Sequence, residues 1–186
     1  MYYALIHLLD FDTTPIDRLR QKYDPTVSLI KPHITVLFPV PAETGESRIQ
    51  THIIKVLASR TAFRIRINGF KKSWDHWLLL TIKEGNDRII KLHDDLYTGF
   101  LSPFRRRDIT FVPHIGIGLF VKERSEYELG DPHRLNPDMA AYNRALKEVG
   151  PLDLDFDMMF RRLTLITLNE DFTQIEMGQE FQLRHG

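Results

Sequence analysis

Apolar positions recur along this chain with two different periods. Phe63, Ile65 and Ile67 alternate with Arg64, Arg66 and Asn68, the two-residue period of a half-buried strand. Leu152, Leu154 and Phe156 alternate in the same way with Asp153, Asp155 and Asp157. Short apolar runs predict further strands over residues 2–9, 33–38, 77–82, 114–121 and 163–168, with a last one over 173–183. Pro39-Val40-Pro41 is expected to end the strand at 33–38, and the turn residues 84–87 to end the one at 77–82. Three segments switch to the helical period. Ile49, Ile53, Val56 and Leu57 predict a helix over 46–59, and Ile89, Ile90, Leu92, Leu96 and Tyr97 one over 87–100. Residues 137–149 form the third, with Pro137 in its first turn and Gly150-Pro151 as its stop. A polar loop rich in Glu, Arg, Gly and Pro is expected over 122–136.

These elements run through one order twice. HITVLF, ESRIQTHIIKVLAS, FRIRI and WLLLTI are followed by HIGIGLF, PDMAAYNRALKEV, LDLDF and LTLITL. A strand led by histidine, a helix, an alternating strand and an apolar strand occur in each copy. The expectation is an α+β fold, one domain over 1–186 made of two lobes related by approximate two-fold symmetry. Antiparallel sheets would line a central cleft, with helices packed outside. No linker-like tract divides the chain.

The repeat places two related stretches about eighty residues apart, KPHITVLFPV (31–40) and VPHIGIGLFV (112–121). Successive side chains of a strand point to opposite faces. His33 and Thr35 therefore share one face while Ile34, Val36 and Phe38 share the other. In the second stretch His114, Gly116 and Gly118 oppose Ile115, Ile117 and Leu119. Each strand thus has an apolar side for packing and a side bearing an imidazole with little bulk. Two imidazoles facing one pocket can run acid–base chemistry near neutral pH, one accepting a proton and the other donating it. The Thr35 hydroxyl can bond a phosphoryl oxygen.

The pair PHITV and PHIGI, in equivalent places of two repeats, resembles the paired H-x-[ST]-x motifs of the 2H phosphoesterase superfamily, over residues 33–36 and 114–117. That superfamily includes bacterial RNA 2′-5′ ligase-like proteins and 2′,3′-cyclic nucleotide phosphodiesterases. The resemblance implies a bilobal fold with both motifs on central strands lining a groove. It also implies metal-independent chemistry on cyclic phosphodiesters or RNA termini, with no cofactor. Carried over by position, His33 and His114 are the acid–base pair, and Thr35 and Gly116 the phosphate-binding positions. Gly116 departs from the pattern, because it has no hydroxyl to offer. Three explanations stay open for it: a groove widened for a particular substrate, decay toward a protein that binds a nucleotide or RNA end without turnover, or a bulge in the strand.

Composition narrows the partners. Lys+Arg and Asp+Glu are both 25 among 186 residues, so the net charge is formally zero and the broad basic field of a non-specific nucleic-acid binder is missing. The expected partner is a nucleotide or an RNA terminus carrying a phosphodiester, gripped locally by a monomer. There are no cysteines, which excludes disulfides, thiolate nucleophiles and Cys-type zinc sites. Neither HExxH nor H-x-x-x-H spacing occurs, so no metal site is expected. No apolar run approaches the roughly 20 residues that span a bilayer, and MYYALIHLLDFD reads as a first strand, so a cytoplasmic protein without a membrane partner is expected. Further candidate substrate contacts are Arg105 and Arg107, from a run of three arginines that suits either bidentate phosphate contact or a solvated loop, and His7 and Tyr3 on the first strand.

Overall fold

A computed structural model describes residues 1–122 and 136–185 of the chain. Eight strands and four α-helices follow one another along the described residues. The first strand, β1 (Tyr2–Leu8), leads through α1 (Thr14–Tyr23) to β2 (His33–Pro41). Then come α2 (Glu46–Leu57), β3 (Phe63–Lys72), β4 (Trp77–Glu84) and α3 (Asn86–Leu96). The chain continues through β5 (His114–Leu119), α4 (Met139–Val149), β6 (Phe156–Phe160), β7 (Arg162–Leu168) and β8 (Ile175–Gln182). The polar loop expected over 122–136 lies almost wholly outside the described residues.

The strands form two antiparallel four-stranded sheets, in the orders β2-β1-β7-β8 and β5-β4-β3-β6. The first sheet is built from the two ends of the chain and the second from its middle. The chain passes between them twice, after α2 into β3 and between β6 and β7. Both passages lie side by side, since Phe63 pairs with Phe160 and their rings stack at 5.0 Å. The end of the chain stitches this place: Ala62 N–H donates to Arg184 C=O at 2.8 Å, and Leu183 N–H to Arg161 C=O at 2.8 Å.

The helices bury one stripe each in a common core. Ile16 and Leu19 of α1, Ile49, Ile53 and Leu57 of α2, Ile89, Leu92 and Leu96 of α3, and Ala145 and Val149 of α4 belong to one buried cluster with Ile34, Val36, Ile65, Ile67, Leu80 and Ile115. The apolar faces of both sheets are thus covered by helices, as the strand patterns require.

Several boundaries differ from the sequence expectation for local reasons. β2 runs on through Pro39 and Pro41, because it is an edge strand and a proline there need cost no ladder hydrogen bond. The alternating run 152–157 becomes strand only from Phe156. Helix α4 starts after Pro137, where Asp138 caps it by accepting from Ala141 N–H at 2.8 Å. Helix α3 stops at Leu96, and a separate 3₁₀ segment, Gly99–Phe104, follows it. The two-residue alternation and the 3.6-residue stripes located the elements other than α1, which the sequence pattern did not predict; the ends were set by caps and edge positions.

Candidate active site

The strands that carry the two histidines, β2 and β5, are each the outermost strand of their sheet, and they run next to each other across the molecule. The resemblance implied central strands. They lie at the edge of each sheet, so the two motifs come together where two sheet edges meet.

An edge strand exposes backbone groups that need partners. Helix α3 and the residue after it supply them on β2: the His93 ring donates from Nδ1 to Val36 C=O at 2.8 Å, and Tyr97 Oη accepts from Phe38 N–H at 3.0 Å. The His93 ring also stacks on Phe111 at 3.7 Å, three residues ahead of His114. Burial holds His93 below the ordinary histidine pKa. One buried imidazole therefore touches both motif segments.

The two motifs have matching geometry. His33 and His114 each open their strand and are half-buried, as are Thr35 and Gly116, while Ile34 and Ile115 are fully buried. Each ring turns back on its own chain: His33 Nδ1 donates to Lys31 C=O at 2.9 Å and His114 Nδ1 to Val112 C=O at 2.6 Å. A carbonyl can only accept, so the proton of each neutral ring sits on Nδ1 and the Nε2 lone pair is left to act as base. Loss of hydration pushes His33 down to about 4, and the charges of Arg20 and His114 push the same way. His114 is lowered too, again chiefly by burial. His114 is thus near enough for its charge to oppose protonation of His33.

Cross-strand pairing fixes which side chains share this face. Thr35 pairs with Ile6 and His33 with Leu8, so the wall beside the first motif is the small cluster of Ala4, Ile6, Ile30, Ile166 and Leu168. On the other wall Thr81 pairs with His114 and Leu79 with Gly116. A bulge follows, since Leu78 pairs with Gly118 although Leu79 pairs with Gly116. The two glycines do not clear a common space: Gly116 lies against the Trp77 ring, whose Cζ3 a Cβ there would meet at 3.3 Å. A side chain at Gly118 would meet Tyr23 Cβ at 2.3 Å and the Tyr23 backbone at 3.1 Å, so Gly118 is where the end of α1 presses on β5.

The remaining candidates are dispersed. Tyr3 is buried in the main core and carries no groove surface. His7 pairs with Ile34 and so points to the core side, where its ring lies 4.2 Å from that of Phe160 and donates from Nδ1 to Arg162 C=O at 2.6 Å. Burial pushes His7 down to about 4. These two corrections share one cause: on β1, odd positions from Tyr3 to His7 face the core. Arg105 is exposed and ion-paired with Asp94 at 2.5 Å, and Arg107 is exposed. Among the described residues no group of three or more His, Asp or Glu is arranged to hold a metal ion. No helix among them is long and apolar enough to cross a membrane.

Sequence reasoning missed a buried ion pair behind His33. Arg20 on α1 is 2% exposed; its Nε donates to Asp24 Oδ2 at 2.7 Å and its Nη2 to Ile30 C=O at 2.9 Å. Asp24 Oδ1 in turn accepts from Thr26 N–H and Oγ1, both at 2.7 Å. The knot fixes residues 24–30, the segment that delivers Lys31 and His33. The i,i+4 spacing of Arg20 and Asp24 was visible in the sequence, but on most helices that spacing is a solvated surface pair.

The sequence profile of a known family, described as the 2′-5′ RNA ligase superfamily, matches residues 10–171. The chain belongs to the 2′-5′ RNA ligase superfamily. Among curated proteins, one of Geobacillus thermodenitrificans named "Putative phosphoesterase" is 32% identical over 101 residues, 53% of this chain and 57% of that protein. The chain thus spans little more than half the length of the curated relatives it matches. Among solved structures, Escherichia coli LigT in complex with 3′-AMP superposes with a TM-score of 0.57 at 14% identity, covering 98% of this chain and 96% of LigT. TT0787 of Thermus thermophilus superposes with a TM-score of 0.56 at 13% identity, over 100% and 99% of the two chains. At such identities these likenesses establish a shared fold, and they agree with the two-sheet architecture of the 2′-5′ RNA ligase superfamily seen here.

Proposed function

We propose that this member of the 2′-5′ RNA ligase superfamily is a metal-independent phosphodiesterase acting on a 2′,3′-cyclic phosphate or a related nucleotide or RNA-end phosphodiester. The observation that carries this is the pairing of His33 and His114 on abutting sheet edges, each with Nδ1 tied to a carbonyl two residues back and Nε2 left as the reactive nitrogen. In hydrolysis one Nε2 takes a proton from water as its oxygen attacks phosphorus. The other ring, protonated, gives its proton to the ribose oxygen as the P–O bond breaks. Thr35 Oγ1 donates a hydrogen bond to a non-bridging oxygen. Burial keeps both rings neutral in the free protein. The negative phosphodiester between them favours the charged form of one ring, so substrate binding itself loads the acid. The fold shared with a protein that holds 3′-AMP supports a nucleotide as the substrate class.

Gly116 favours a second reading, a protein that binds the same ligands without turnover. Losing one hydroxyl donor costs about 1–3 kcal/mol, one to two powers of ten in rate, which weakens catalysis without removing it. Incubation with adenosine 2′,3′-cyclic phosphate and with an RNA bearing a cyclic phosphate end decides between them. Turnover that falls by roughly 10²- to 10⁴-fold in both His33→Ala and His114→Ala, and that resists chelators, supports the enzyme. Saturable binding without product supports the second reading, and full activity in either alanine variant defeats the paired-histidine mechanism.

A further inference from the structure

The strand that carries His33 and Thr35 is irregular just past them. Ile6 pairs with Thr35 but its neighbour Leu5 pairs with Leu37, so Val36 is an extra residue on β2 with nothing opposite it on β1. A second irregularity follows, since Tyr3 pairs with Val40. A bulge interrupts the ladder and bends its strand, so the ladder does not dictate where the bulged residues lie. On β2 that is decided from outside the sheet. The His93 ring, 3% exposed, donates from Nδ1 to Val36 C=O at 2.8 Å, and Tyr97 Oη accepts from Phe38 N–H at 3.0 Å, so side chains hold both irregular places.

The same imidazole reaches the second motif. Its face lies on Phe111 at 3.7 Å and 6° from parallel, and Phe38 stands edge-on to both rings, 5.6 Å from His93 and 5.8 Å from Phe111. Three rings thus close on one another: one from β2, one from α3 and one from the segment that leads into β5. Val36 directly follows Thr35, and Phe111 stands three residues ahead of His114. We propose that His93 is a positioning residue for the paired histidines: it pins the bulge at Val36, rests it on Phe111, and so sets how the strand end bearing His33 and Thr35 stands against the one bearing His114. The two strands belong to different sheets, so no shared ladder does this for them. The hydrogen bond and the stack have separate parts, one fixing the backbone beside Thr35 and the other fixing the approach to His114.

This inference rests on the paired-histidine reading, so its test has one arm with turnover and one without. With adenosine 2′,3′-cyclic phosphate, His93→Ala should lower kcat by up to about 10²-fold, the loss that a misplacement of about 1 Å brings, while KM changes far less. His93→Asn keeps a donor for Val36 C=O and His93→Phe keeps the face on Phe111, so each should recover part of the loss. These two variants carry the test if His93→Ala does not fold. Wild-type kcat in the folded variants overturns the proposal. So does a loss that vanishes when activity is expressed per folded molecule by circular dichroism, which would mark His93 as packing only. In the second arm, NMR follows the ring resonances of His33 and His114, assigned from their alanine variants. Both sets should move in His93→Phe and in His93→Asn, and either set left in place in both variants overturns the link. Movement of both rings in a protein that turns over no phosphodiester upholds the link and sinks the catalytic reading instead.

Discussion

Replacing Arg20 by methionine removes a guanidinium that is 2% exposed and leaves the Asp24 carboxylate, equally buried, without its counter-ion. Taking one partner from a buried pair costs about 3–5 kcal/mol, because the remaining charge stays desolvated. Arg20→Met also frees Ile30 C=O from its donor, which places the cost in the upper part of that range. A typical domain has only about 5–15 kcal/mol in total, so a large share would be lost. At a urea slope of about 2 kcal/mol/M the unfolding midpoint should fall by roughly 1.5–2.5 M. The companion variant Arg20→Met/Asp24→Asn removes the orphaned charge but keeps an oxygen to accept from Thr26, as Asp24 Oδ1 does now at 2.7 Å. It should regain about 2–3 kcal/mol relative to Arg20→Met alone. Urea unfolding of the four proteins of this cycle measures both numbers. If Arg20→Met costs under about 1 kcal/mol, or if Asp24→Asn brings no recovery on top of it, the pair is not the desolvated knot described here. The surviving double variant then tests position, since a stable protein with slowed turnover would show that the pair also sets the approach to His33.

Gly118→Ala should lower the melting temperature by several degrees, because its Cβ would fall 2.3 Å from Tyr23 Cβ and push α1 off β5 at about 1–3 kcal/mol, whereas Gly116→Ala meets only the edge of an indole and should be milder; equal effects would refute the close approach. Stability should decline in acid: His7 and His33 are held near 4 when folded and return to about 6.5 when unfolded, so below 6.5 the unfolded chain binds more protons and the folded state loses ground until about 4. For the fully buried His7 this amounts to about 3 kcal/mol, and a urea midpoint unchanged between pH 7 and 4.5 would contradict it. In kinetics, kcat/KM should be greatest on the acid side of 6.5, since the free protein must supply one protonated ring and both are lowered, while kcat should peak at higher pH because bound phosphate raises one of them. An optimum of kcat/KM above 7 would exclude these rings as the acid–base pair.

Most of the strands and three of the four helices could be read from the sequence, because their periods are clean and their burial is one-sided. Helix α1 could not. Its stripe holds Ile16 and Leu19, but the residue that completes its buried face is Arg20, which a hydrophobic pattern counts as surface. The division of the chain was also hidden. The repeated order of elements suggests two successive halves, whereas the first sheet takes strands from both ends and encloses the second in sequence. Pairing partners decide this, and a pattern along one strand is silent about partners. At the site, the two histidines and Thr35 were legible because strand alternation fixes a face. Tyr3 and His7 were open to either a packed or a groove-facing reading, and the structure buries both, since alternation tells which residues share a side but not which side faces outward. His93 had no local signal: it matters through residues far along the chain, Val36 and Phe111.

The two passages between the sheets lie together at the Phe63–Phe160 pair, with the His7 ring against Phe160 and the last residues of the chain bonded across both. The two sheets are therefore joined in two places around one shared core: by backbone hydrogen bonds where the chain passes between them, and where β2 and β5 run next to each other and carry the two imidazoles. Residues 183–184 belong to the first junction and fasten the sheets at the end away from the imidazoles.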